Sequence, residues 1–227
     1  MMNRAESSKI LIPYLGEPLL PDYQGVVSNL KSKGAAIQID QVNWSDFPYR
    51  PAVQLFIGYS GEYLWLHYQV ENDFFRAMAK GDQGSVWEDS CVEFFLSTET
   101  EKYKNNFSEQ EIAYRNFEFN ASGVCLSAFG TKSDREFLKT NEMGQILRFP
   151  GRLATEMPQE GSEFDWELAV AIPLALLGLE AGSSFWANFY KCGDLTTKPH
   201  FLSWKEISSE EPDFHLPEFF GEAVLLV

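Results

Sequence analysis

The densest run of chemically useful side chains is Trp87-Glu88-Asp89-Ser90-Cys91-Val92-Glu93-Phe94-Phe95. Trp87 follows Gly84-Ser85 in a polar approach to a strand, where an alternating core has no use for an indole. Glu93 alternates out of phase with Val92, Phe94 and Leu96, so its carboxylate leaves the sheet on the opposite face. A flat ring before a carboxylate on a rigid strand suits a sugar, whose C–H face packs on the ring while its hydroxyls donate to the anion. The plainer reading is that Trp87 caps the fold and Glu93 is a solvated strand residue.

Two further clusters lie downstream. In Trp186-Ala187-Asn188-Phe189-Tyr190-Lys191-Cys192-Gly193-Asp194, the residues Asn188, Tyr190 and Cys192 share one strand face. An amide offers a donor and an acceptor to vicinal hydroxyls, or it bonds to backbone at a bend. The segment His200-Phe201-Leu202-Ser203-Trp204 precedes an irregular, proline-containing run from Pro212 to Gly221. Trp204 is either a second stacking wall or a core residue.

Other chemistries find less support. A glycoside hydrolase would need two carboxylates, such as Glu93 and Glu167, roughly 5–5.5 Å or 6.5–9.5 Å apart. With only His67, His200 and His215, and no GxSxG, nucleophilic catalysis has little footing; His67 reads as an exposed strand residue. Met78, Met143 and Met157 stand in loop-like segments without the design of axial haem ligands. A sandwich that has lost its sugar site and serves protein interaction is the main rival.

The elements that must hold these residues are strands. Residues 53–59 and 62–71 flank Ser60-Gly61 and read as a hairpin, with Leu64, Leu66, Tyr68 and Val70 on the core face. Residues 91–97, 114–120, 124–129, 164–172, 185–192, 200–204 and 222–227 add further strands, with another around 146–149. Pro21–Lys33 places Val26, Val27 and Leu30 at helical spacing, and Pro173 to Gly178 reads as one helical turn. Alternation in several strands predicts antiparallel sheets with one solvated face. The fold class is therefore all-β: a two-sheet antiparallel β-sandwich, jelly-roll-like, over residues 38–227, with residues 1–37 an N-terminal lead-in packed on it.

Composition narrows the function. The chain has 227 residues and a formal net charge of −15, which repels phosphate backbones and argues against nucleic acid as a partner. Aromatics reach 15%, enough to supply a binding surface as well as a core. The three cysteines, Cys91, Cys125 and Cys192, lack disulfide or zinc spacing and read as buried thiols. No stretch reaches transmembrane length, so no membrane partner is expected, and the N-terminus lacks a signal-peptide pattern. Read literally the chain is cytoplasmic; removal of a leader would make it an exported one.

The run WEDSCVEFFLS resembles the signature of family 9 carbohydrate-binding modules and the wider DOMON-like sandwiches. NFEFNASG (116–123), DWELAVAIPLALLG (165–178), WANFYKCGD (186–194), LSW (202–204) and PDFHLPEFFG (212–221) follow in the same order. They are similar to a subgroup from gut Bacteroidetes, over roughly residues 38–227. The resemblance implies a non-catalytic β-sandwich gripping a mono- or oligosaccharide between tryptophans, with no cofactor beyond a structural calcium. It assigns Trp87 to the first stacking position, Glu93 to the sugar-binding carboxylate and Asn188 to the amide. Lys191 stands where the second Trp would fall and Glu118 near a ligand-binding Arg. Trp204 would then replace the second wall, with Tyr190 and Lys191 at the rim.

Overall fold

The structure is a computed structural model that describes residues 9–16, 22–99, 101, 111–154 and 157–227. The N-terminal residues read for a leader, up to Ser8, and Pro21 at the start of the expected helix lie outside the described residues. The strands are β1 (Ile10–Ile12), β2 (Ala35–Gln38), β3 (Gln41–Val42), β4 (Ala52–Ser60), β5 (Tyr63–Phe74), β6 (Cys91–Thr98) and β7 (Tyr114–Asn120). They continue with β8 (Cys125–Gly130), β9 (Arg135–Phe137), β10 (Leu147–Phe149), β11 (Glu163–Pro173), β12 (Ser184–Cys192), β13 (Phe201–Ser203) and β14 (Gly221–Leu225).

These strands build two sheets. The larger runs β1-β14-β12-β6-β7-β8-β9, with β13 beside β12 and β3 beside β13; the smaller runs β10-β11-β5-β4-β2. All named pairings are antiparallel except β1 with β14. The expected lead-in thus gives β1 to one sheet and β2 to the other. Gly61, at φ 58°, supplies the left-handed residue that turns β4 into β5.

Period-two patterning decides the inner faces. Leu64, Leu66, Tyr68 and Val70 of β5 meet Val92, Phe94 and Leu96 of β6 and Trp166, Leu168, Val170 and Ile172 of β11 in one buried core. Apolar burial of this kind is worth about 25 cal/mol per Å² of surface removed from water.

The outer faces depart from the expectation that they are solvated. Helix α1 (Tyr23–Lys33), capped by the Asp22 carboxylate accepting from Gly25 N at 2.9 Å, lies over the smaller sheet. Its Val26, Val27 and Leu30 pack on Trp65, Ala169 and Ala171. His67, expected to be exposed, is fully buried there, 2.9 Å from Glu167 Oε2. Over the larger sheet, Trp44, Ile207, Phe214 and Phe220 cover Phe95, Tyr114 and Tyr190. Alternation separates the two faces of a strand; it does not say whether other chain later covers the second one.

Candidate functional site

A cavity opens on the outer face of the larger sheet. It measures about 310 Å³ and is floored by β6, β7, β8 and β12 and walled by the 212–215 loop and by β9. Its size sits at the small end of ligand pockets. Trp87 and Glu93 both line it.

Trp87 sits on a single 3-10 turn, Val86–Glu88, just before β6. The turn is fixed from two sides. The Asp89 carboxylate, almost fully buried, accepts from Met78 N and Ala79 N at 2.9 Å and from Asn120 Nδ2 at 2.9 Å. The Trp87 carbonyl accepts from Asp194 N at 3.2 Å. The indole, held by its backbone, remains 38% exposed; a ring needed only for the core would be covered.

Glu93 is at the centre of β6, opposite Tyr190 on β12 and Glu118 on β7. It is 2% exposed, and Cys192 Sγ lies 3.1 Å from its Oε1. Burial, then the neighbouring Cys192 and Glu118, push the Glu93 carboxyl well above the usual carboxylate range. Glu118 accepts from Asn116 Nδ2 at 3.0 Å, and burial raises it to about 7. Asp194, on the same cavity, is raised to about 6 by burial and by Glu88. Three carboxyls with raised proton affinity share one pocket: Glu93 and Glu118 can donate as well as accept near neutral pH, while Asp194, at about 6, is mostly ionised there and accepts.

Basic and aromatic groups face them. Arg135 on β9 donates through Nη1 to His215 Nδ1 at 2.8 Å, and Tyr114 OH is 2.9 Å from the same nitrogen. Burial, then Arg135, lowers His215 to about 4, so the ring is neutral and an unprotonated Nδ1 can accept from Arg135. Phe137, Phe201 and Phe214 add ring surface, Phe137 being 62% exposed.

Four residues expected at the site lie elsewhere. Asn188 is fully buried, and its amide clamps backbone: Oδ1 accepts from Phe189 N and Lys205 N at 2.9 Å, and Nδ2 donates to Lys205 O at 3.2 Å. Trp204 packs on Phe189 at 5.7 Å and lines a different groove, with Lys205 over its ring at 4.2 Å. Tyr190 is fully buried, stacked on Phe214 at 4.2 Å and donating to its carbonyl. It supports a wall of the cavity and is not at its rim. Lys191 points into the core between the sheets, 3.1 Å from Asp73, because it alternates with Tyr190 along β12.

The carboxylate pair considered for hydrolysis is also parted. Glu167 lies under α1 on the outer face of the smaller sheet, accepting from Tyr23 OH at 2.7 Å and Gln69 Nε2 at 3.1 Å. Glu93 is on the outer face of the other sheet. The whole sandwich separates them, and no bond can lie between them.

Arg135, Phe137, Asp194 and His215 were missed as pocket residues. Arg135 and Phe137 come from a three-residue strand inside a polar segment, where alternation has too few residues to register. Asp194 had one usable signal, its place just after the cluster ending at Cys192-Gly193.

Comparison with known proteins gives a consistent result. The family model described as carbohydrate-binding family 9 matches residues 27–225. A crystal structure of a candidate carbohydrate-binding protein from Bacteroides uniformis ATCC 8492 is 34% identical, with a TM-score of 0.78, over 96% of this chain and 99% of that one. A family 9 module from Caldicellulosiruptor kristjanssonii, solved with glucose, is 11% identical, with a TM-score of 0.58, over 96% of this chain and 95% of that one. Its complex with cellotriose gives 11% and 0.57 over 96% and 94%. At that identity the likeness shows the fold alone. No match is found among curated proteins.

Proposed function

The chain belongs to carbohydrate-binding family 9, a non-catalytic family, and from that premise we propose that it holds a mono- or oligosaccharide in the cavity between Trp87 and Glu93. The observation that carries this is the opening of a part-exposed indole and a buried carboxyl onto one small pocket. The sugar's C–H face lies on Trp87. Its hydroxyls bond to Glu93 and Glu118, whose mixed donor and acceptor character suits neutral hydroxyls. Phe137 replaces Trp204 as the facing aromatic. The Arg135 guanidinium supplies the cation that Glu118 does not. Saccharide complexes of the Caldicellulosiruptor module support this ligand class, and a role in carbohydrate breakdown follows as the natural use of such a module.

Isothermal titration with glucose, cellotriose and a wider panel of short glycans tests the reading. Micromolar to millimolar affinity is expected, as is reasonable for a small polar ligand. Taking roughly 250 Å² for a whole Trp, the 38% left exposed is about 95 Å². Covering it is worth about 2 kcal/mol at ~25 cal/mol/Å², so Trp87→Ala should weaken binding ~30-fold while the protein still melts cooperatively. Unchanged affinity in that variant, or no binding across the panel by the parent protein, overturns the proposal.

A further inference from the structure

The floor of the pocket holds two thiols that saccharide binding does not use. Cys91 and Cys192 are direct cross-strand partners on β6 and β12, and Glu93 lies two residues along β6 on the same face. Cys192 Sγ is 3.1 Å and Cys91 Sγ 3.9 Å from Glu93 Oε1. One donor atom from each of the three residues falls within 4.8 Å of the others. All three side chains are buried, yet Glu93 and Cys192 line the cavity.

These distances fit a metal centre. Zinc takes sulfur at roughly 2.3 Å and carboxylate oxygen at about 2.0–2.2 Å, so a tetrahedral site has a sulfur–oxygen edge of about 3.5 Å. The two observed edges, 3.1 and 3.9 Å, straddle that value. Two sulfurs and one oxygen are a borderline-soft donor set, which suits zinc and not calcium or magnesium. The donors sit on two adjacent strands of the larger sheet, which hold them in place without loop rearrangement. The Trp87 carbonyl, 3.6 Å from Cys192 Sγ, and the Cys91–Cys192 register add fixed surroundings.

We propose that Cys91, Cys192 and Glu93 form a zinc-type metal site whose fourth position opens to the cavity. On binding, the two thiol protons leave to solvent and the metal takes their place between the sulfurs. The fourth ligand is a water or an oxygen of whatever occupies the pocket. The site shares Glu93 with the proposed saccharide site, but metal is measured without saccharide, so the two readings fail separately.

The test uses the full chain, reduced and kept anaerobic. Titration with Co²⁺ should give sulfur-to-cobalt charge-transfer absorption saturating at one ion per chain, bleached by added Zn²⁺. Zinc-edge X-ray absorption should show two sulfur neighbours. Cys91→Ser and Cys192→Ser should each lose most of the charge-transfer band. Cys125→Ser should keep it, since that thiol sits in the core between the sheets. Glu93→Gln should weaken cobalt binding at least tenfold. An all-oxygen or nitrogen zinc shell, no charge-transfer band in the parent protein, or a band surviving loss of both Cys91 and Cys192 overturns the site. The parent-protein spectra decide the matter even where a variant does not fold.

Discussion

Replacing Lys191 by Met should damage folding and leave the pocket unaltered. The ammonium is fully buried and has three partners for its three protons: Asp73 Oδ2 at 3.1 Å, His200 Nε2 at 2.7 Å and Cys192 O at 2.8 Å. Burial lowers His200 to about 3, with Lys191 beside it contributing, so the ring is a neutral acceptor for the ammonium. Asp73, also fully buried, accepts from Trp166 Nε1 at 2.8 Å and has Lys191 as its close cation. Lys191→Met would strand that carboxylate, and breaking one side of a buried pair costs about 3–5 kcal/mol. For a domain of this size about 2–4 °C of Tm is lost per kcal/mol, so a fall of roughly 6–20 °C is expected. Adding Asp73→Asn removes the stranded charge while keeping an acceptor for Trp166, and should recover most of the loss, since apolar replacement of a buried pair is often neutral or better. Calorimetric melting gives both values, and saccharide titration of each variant gives the control. If Lys191→Met melts within ~2 °C of the parent yet binds saccharide tenfold more weakly, the side chain belongs to the site and the burial reasoning fails.

Glu93→Ala should weaken saccharide binding by about 0.5–1.5 kcal/mol, the scale of a hydrogen bond between uncharged groups, since burial keeps this carboxyl from ionising; equal titration curves would remove Glu93 from the ligand. Asn188→Ala should destabilise by about 1–3 kcal/mol, because three backbone contacts lose their partner, with saccharide affinity unchanged; reduced affinity at constant urea midpoint would restore it to the site. Hydrogen bonding to His67 is the main force holding Glu167 down, to about 2 from its usual 4.5, so its contribution to stability is full above pH 4.5 and is lost as pH falls through about 2. Since the side chain is 30% exposed, the contribution is discounted to about 1–2 kcal/mol. Glu167→Gln should therefore be less stable at pH 7, with the gap closing on acidification in urea unfolding; a gap constant from pH 7 to 2 would contradict this.

What the sequence determined was local. Period-two runs such as Leu64–Val70 and Trp166–Ile172 assigned strand faces correctly, since successive side chains must leave a pleated strand on opposite sides. The same rule put Glu93 and Cys192 on the surface that carries the cavity, and the order of motifs was enough to indicate the family. What it left open were coverage and convergence. His67 and Tyr190 alternate like surface residues, yet α1 and the loop bearing Phe214 bury them. Asn188 and Lys191 carry polar groups that a binding site would want, and the tertiary structure employs them to satisfy backbone and a buried carboxylate. Cys91 and Cys192, a hundred residues apart in any spacing rule, become neighbours only because β6 pairs with β12. Alternation is set by each strand's own geometry, whereas pairing and coverage depend on distant chain competing for the same apolar surface, and that competition is resolved only when the whole molecule packs.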